Sequence, residues 1–238
     1  MRVDRKRKKG PLRRSLGWCL RLFLKIIILL VLLTMAQVVL LKYIDPPFTA
    51  MMASNWIRNK VSHRPYIRPR HYWRPLRDIS PWLIRAVLAG EDQRFMSHRG
   101  FDFIEMNKAF RDILARGKVR GASTITMQVS RTVFLWPGRS LARKGLEAYY
   151  TVLLELFLTK PRILELYLNM VDWGPGLMGA EAAARKYFNR RAVDLTAHQA
   201  AGLAAILPSP HEWSPVEPNN SVTERQKRIM RDMGKMHL

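Results

Sequence analysis

The chain has 238 residues, long enough for one well-filled core, and its 41 Lys and Arg outweigh 18 Asp and Glu to give a formal net charge of +23. Cys19 is its one cysteine and the six histidines (His63, His71, His98, His198, His211, His237) show no paired ligand spacing, so an intramolecular disulfide, a cysteine zinc cluster and a dedicated transition-metal centre are not expected. The positive charge invites a nucleic-acid reading, but no recognisable nucleic-acid module accompanies it, and no nucleic-acid partner is expected.

Residues 1–21 open with a basic tail in which Arg2, Arg5, Lys6, Arg7, Lys8, Lys9, Arg13 and Arg14 face one acid, Asp4. Residues 22–41 are nearly all apolar, Lys25 being the one charge. About 20 such residues at a helical rise of ~1.5 Å span a hydrocarbon core of ~30 Å. The run exceeds a signal-peptide core and is followed by Lys42-Tyr43-Ile44-Asp45-Pro46-Pro47 rather than a small-residue cleavage site, so an uncleaved transmembrane helix is expected. By the positive-inside rule the tail is cytoplasmic and everything after Lys42 lies outside. Residues 42–79 read as a membrane-proximal segment, because Arg58, Lys60, Arg64, Arg68, Arg70, Arg74 and Arg77 alternate with Trp56, Tyr66, Tyr72 and Trp73 as suits a headgroup layer and an anionic lipid substrate.

Residues 80–238 are expected to form the main domain, and it reads as all-α. Ser80-Pro81 fits the cap and first position of a helix with Leu83, Ile84, Val87 and Leu88 on one face, running out near Gly90 so that Glu91 sits at its end. A second helix over 102–116 carries Phe103, Met106, Phe110 and Leu114, and the Gly, Ser and Thr of 117–126 make a loop. Residues 141–158 form a long helix, Pro161 opens the next one through Asn169, and Trp173-Gly174-Pro175-Gly176 is a turn. A helix covers 180–188, and Thr196 with Gln199 forms a capping box before an apolar run that Pro208 stops. No sustained alternation marks a strand.

Four clusters stand in order along this domain: Glu91-Asp92-Gln93-Arg94-Phe95-Met96-Ser97-His98-Arg99-Gly100, then Gly121-Ala122-Ser123-Thr124-Ile125-Thr126-Met127-Gln128, then Arg143-Lys144-Gly145-Leu146-Glu147, then Arg162-Ile163-Leu164-Glu165-Leu166-Tyr167-Leu168-Asn169. Together they resemble the peptidoglycan glycosyltransferases that polymerise lipid II, in their monofunctional form, over roughly residues 81–215. The resemblance implies a lysozyme-like helical domain behind a single span, in the inner membrane with the catalytic domain periplasmic. Its implied partners are lipid II, the growing lipid-linked glycan and the cell-wall synthesis machinery.

Inverting transfer from a sugar pyrophosphate needs a base for the attacking hydroxyl and positive charge for the leaving group. The resemblance makes Glu91 the base and Glu147 the second carboxylate, acting near the phosphates or the acceptor, directly or through Mg²⁺ or Mn²⁺. Arg131, Arg139, Arg143 and Lys144 are the pyrophosphate cations, suited to it by the planar fork of arginine. Ser123, Thr124 and Gln128 supply neutral hydrogen bonds, and Asp92, Phe95 and His98 complete the substrate-binding set, Asp92 raising the proton affinity of Glu91 by like-charge repulsion and His98 orienting rather than carrying a proton. Glu165, Tyr167, Leu168 and Asn169 read as scaffold. Met127, Arg131 and Thr132 depart from the Gln, Lys and Asn common in the family. Two other readings remain: a membrane-anchored lysozyme-like hydrolase or lytic transglycosylase, which accounts for Glu91 but not for the basic set from Arg131 to Lys144, and a non-catalytic basic scaffold, which explains the charge but leaves the four ordered clusters to coincidence. No serine is followed three residues later by lysine and no Lys-Thr-Gly occurs, so no penicillin-sensitive transpeptidase activity is expected.

Overall fold

The computed structural model describes residues 11–62, 69–117, 121–138 and 140–236, so the tail cations up to Lys9, Arg64, Tyr66, Arg68 and the expected phosphate ligand Arg139 lie outside the described residues. The chain divides into two compact units, Met1–Tyr43 and Ile44–Leu238. The first is a helix, α1 (Pro11–Leu40), whose 23-residue stretch Trp18–Leu40 is long and apolar enough to cross a membrane. It starts four residues before the expected span.

The second unit carries nine further helices among the described residues: α2 (Ala50–Val61), α3 (Pro81–Glu91), α4 (Phe103–Arg116), α5 (Ile125–Phe134), α6 (Leu141–Phe157), α7 (Lys160–Met170), α8 (Ala180–Phe188), α9 (Ala197–Ile206) and α10 (Asn220–Met233). α9 is the central post. Ala200, Ala201, Leu203, Ala204, Ala205 and Ile206 are wholly buried, and an all-round apolar helix belongs inside a core, here against α3 and α10. α5 packs on α6 and α7, with α2 laid against it. These two groups of helices meet where α3 ends and α5 begins.

Two features, the sheet and the Ser80 hydroxyl, differ from the sequence reading. A small sheet of β1 (Arg70–His71), β2 (Asp172–Gly174) and β3 (Leu177–Met178) is ordered β1-β3-β2, β1 running parallel and β2 antiparallel to β3. The expected turn at Trp173–Gly176 links β2 to β3, and strands of two or three residues are too short to show alternation. The second unit begins at Ile44 and so takes in described residues of the membrane-proximal segment: Asn169 accepts from Arg74 N and donates to Arg74 O, both at 2.8 Å, while Glu165 Oε2 accepts from Leu76 N at 2.7 Å. The scaffold role read for Glu165 and Asn169 is thus to hold this incoming backbone on α7. Finally, Ser80 occupies the first cap position but gives its hydroxyl to Leu195 O at 2.9 Å instead of capping α3, tying that helix to the turn before α9.

Candidate active site

α3 ends on Glu91, and three helices converge on its carboxylate. From α5, Gln128 Nε2 donates to Oε2 at 2.9 Å; from α10, Arg225 Nη2 donates to Oε1 at 2.8 Å and also to Gly90 O at 2.8 Å. From α7, the Tyr167 hydroxyl donates to Gln128 Oε1 at 3.3 Å, which turns the amide so that its NH₂ faces Glu91. Burial pushes the Glu91 carboxyl above its ordinary range, opposed by the Gln128 hydrogen bond and by the charges of Arg225 and Arg131. A carboxylate that burial makes more basic, yet that two donors hold in one orientation, is suited to accepting a proton. Burial and the neighbouring Glu91 charge push Tyr167 well above the ordinary phenol range, so it remains a donor at neutral pH.

Asp92, next in the chain, points elsewhere. Its oxygens meet His98 Nε2 at 3.0 and 3.1 Å, and Oδ2 accepts from Ile125 N at 3.0 Å, so it links the end of α3 to the start of α5. Thr124 caps α5, accepting from Met127 N at 3.2 Å, and donates to Gly100 O at 2.6 Å. Gly100 has φ +84°, and a Cβ there would lie 2.7 Å from Thr151 Cγ2, so only glycine fits the turn. Phe95 is wholly buried, edge-on to the His98 ring at 6.3 Å with Lys160 Nζ 4.3 Å from its own centroid.

The sequence points to Asp92, Phe95, His98 and Thr124 as substrate ligands; in this structure Phe95 has no exposed surface, and Asp92, His98 and Thr124 bond to protein groups, with His98 Nδ1 buried and without a partner. The leading cause of the high proton affinity of Glu91 is burial rather than repulsion from Asp92.

The second carboxylate lies on α6. Glu147 is 1% exposed and is paired with Arg143 Nη1 at 3.1 Å and with Lys144 Nζ. Arg143 is buried with it, whereas the Lys144 side chain remains 46% exposed and presents its charge outward. The structure therefore groups Glu91, Gln128 and Arg131 on one side, and Glu147, Arg143 and Lys144 on the helix packed against α5. Ser123 is half-buried in the loop just before Thr124.

The residues fit a divalent cation poorly. Two ammonium or guanidinium groups already neutralise Glu147. The one three-ligand group among the described residues, Asp92, His98 and Asp102, has Arg94 Nε at 3.1 Å from Asp102, which caps α4 through Ile104 N and Glu105 N. A cation there would meet a resident positive charge.

Arg225 is absent from the sequence reading because no helix is assigned there beyond Pro208. The signal exists: Asn219 accepts from Val222 N at 3.0 Å as a cap, and Val222, Gln226, Ile229 and Met233 recur at helical spacing as the buried face of α10.

Comparison with known proteins adds an independent line. A family model described as Transglycosylase matches residues 59–234. The chain is 44% identical over 214 residues to a biosynthetic peptidoglycan transglycosylase of Caulobacter vibrioides, covering 90% of each chain. It is 47% identical over 203 residues to a protein of the same description from Pseudomonas entomophila, covering 85% of this chain and 86% of that one. A third of that description, from Xanthomonas campestris pv. campestris, is 44% identical over 232 residues, covering 96% and 92%.

Proposed function

This chain belongs to the transglycosylase family and is a peptidoglycan glycosyltransferase that makes glycan strands for the cell wall, and we propose that Glu91 is the general base of the reaction. The observation that carries the assignment is the buried carboxylate at the end of α3, made more basic by burial and oriented by Gln128 and Arg225.

In the proposed reaction Glu91 takes the proton of the GlcNAc 4-hydroxyl of lipid II. That oxygen attacks C1 of the terminal MurNAc of the growing chain, forming a β bond as the α bond to phosphate breaks. The electron pair leaves with undecaprenyl pyrophosphate. Arg131, Arg143 and Lys144 receive the negative charge that builds on the leaving oxygen, the electrostatic term of the catalysis, with Ser123 as a neutral donor beside them. Glu147, buried between Arg143 and Lys144, holds those cations in place by charge pairing. Tyr167 acts through Gln128 and is a positioning residue.

The enzyme is anchored in the inner membrane by α1, with the tail cytoplasmic and residues 44–238 periplasmic; the apolar stretch Trp18–Leu40 and the cation-rich residues before it support this topology. Glu91→Gln keeps the shape and the hydrogen bond at one of the two positions, its NH₂ facing a donor at the other, but cannot accept the proton, so release of undecaprenyl pyrophosphate from lipid II should fall at least ~10²-fold while the helical signature is unchanged. A fully active Glu91→Gln enzyme would refute the assignment.

A further inference from the structure

The fourth sequence cluster opens on a residue that the reaction does not use. Arg162 stands in the first turn of α7 with its side chain 15% exposed. Its Nη2 donates to Ile44 O at 3.1 Å and pairs with Asp45 Oδ1 at 2.8 Å. Nη1 donates to Glu165 Oε1, and the centre of the guanidinium lies 5.3 Å from the middle of the Trp73 ring.

A cation held in this way differs from an ordinary surface ion pair, which loses side-chain entropy when two long chains meet in water. Glu165 fixes one edge of the planar fork and the Trp73 ring lies against the group, so the remaining edge is already set towards Ile44 and Asp45. The grip continues along α7. Arg162, Glu165 and Asn169 stand at i, i+3 and i+7, and the last two bind the backbone of Leu76 and Arg74. Tyr167 of the same helix turns Gln128 towards Glu91. The helix that orients the base therefore also holds the first residues of the catalytic unit, which begins at Ile44.

Position in the chain gives the clasp its meaning. α1 ends at Leu40, and with Asp45 held, at most the four residues 41–44 lie between that end and the first clasped side chain. Among the described residues, the chain is next fixed by hydrogen bonding at Thr49, which is 1% exposed and caps α2 by accepting from Met52 N at 3.1 Å. Opening the clasp thus lengthens the link to the eight residues 41–48. Effective concentration falls roughly as the −3/2 power of link length, so this doubling dilutes the tethered unit about threefold.

We propose that Arg162 is a positioning residue whose clasp on Ile44 and Asp45 keeps the tether between the membrane helix and the catalytic unit short, which favours encounter with a substrate carried on its own lipid tail. The proposal rests on α1 as the anchor and on the lipid-linked substrate, and adds the side chain that couples the two.

Asp45 carries the test, because it is half exposed and stands outside the site. Asp45→Lys sets like charge against Arg162 and opens the clasp, whereas Asp45→Glu keeps the pair. In the full chain reconstituted into phosphatidylcholine vesicles with long-chain lipid II, Asp45→Lys should raise KM about threefold with kcat unchanged, and Asp45→Glu should keep the native KM. In detergent, with a lipid II analogue whose short prenyl chain leaves it water-soluble, all three proteins should share one KM. A vesicle KM that stays native in Asp45→Lys, or that rises equally with the soluble analogue, overturns the proposal. So does a lowered melting temperature with loss on both substrates, the mark of a purely structural contact. Should Asp45→Lys fail to fold, Asp45→Asn, which removes the charge alone, decides by the same comparison. Failure of α1 as the anchor would appear separately, as native chain that does not float with the vesicles.

Discussion

Removing the Arg225 charge while keeping its stem, as in Arg225→Met, tests whether the ion pair sets the working pH. Arg225 lowers the Glu91 pKa both through its charge and through its hydrogen bond, and so opposes the burial that raises it. A charge-assisted hydrogen bond contributes about 1.5–3 kcal/mol, and the 23% exposure of the Arg225 side chain, with Gln128 and Arg131 remaining in the variant, favours the low end of that range. Losing the pair therefore raises the proton affinity of Glu91 further. A base works when ionised, so the acid limb of kcat/KM against pH should move to higher pH, measured by release of undecaprenyl pyrophosphate. An acid limb that stays in place in Arg225→Met refutes the idea that this pair tunes the base. Linkage supplies a companion measurement. Because the folded-state pKa of Glu91 is raised, its stabilising contribution is fully present below the unfolded pKa and is lost as pH rises through the folded value, leaving the ionised group a cost at neutral pH. Glu91→Gln escapes that cost but loses one of the two hydrogen bonds, so its melting temperature relative to the native enzyme should fall on acidification.

The brace behind the site yields a second expectation. Gly100→Ala forces a side chain into φ +84° and against Thr151, so it should destabilise by about 1–3 kcal/mol or more, read as a lower denaturant midpoint; unchanged stability would show that the turn relaxes freely. On α6, Arg143→Ala leaves the buried Glu147 with Lys144 alone and removes one expected phosphate ligand, so undecaprenyl pyrophosphate affinity should fall by about 1.5–3 kcal/mol together with stability. Stability falling while that affinity holds would place the pyrophosphate elsewhere.

The helices on which the site is built were legible because their packing leaves a periodic trace. Leu83, Ile84, Val87 and Leu88 mark the face of α3 that turns to α9 and α10, and that face fixes Glu91 at the helix end. The partners of Glu91 were not legible in the same way: Gln128 is 37 residues away and Arg225 is 134, and no local pattern announces a contact formed only when α5 and α10 meet α3. The sheet was invisible for a related reason, since Arg70 finds Leu177 through tertiary packing rather than through strand propensity.

The first cluster shows a different limit. Its spacing signals that Asp92, Phe95, His98 and Gly100 act together, but a brace and a ligand set need the same thing from a sequence, namely polar and aromatic residues at set intervals. Burial separates them. An aspartate that is 7% exposed and whose oxygens already meet His98 and the amide of Ile125 holds the start of α5, the helix that carries Gln128 to Glu91. Replacing such a residue would abolish activity as surely as removing a ligand, through displacement of Gln128 rather than through lost substrate contact. Loss of activity on substitution therefore does not by itself assign Asp92, His98 or Thr124 to the substrate; a lowered melting temperature accompanying that loss is the mark of a brace, and loss of activity at an unchanged melting temperature is the mark of a ligand.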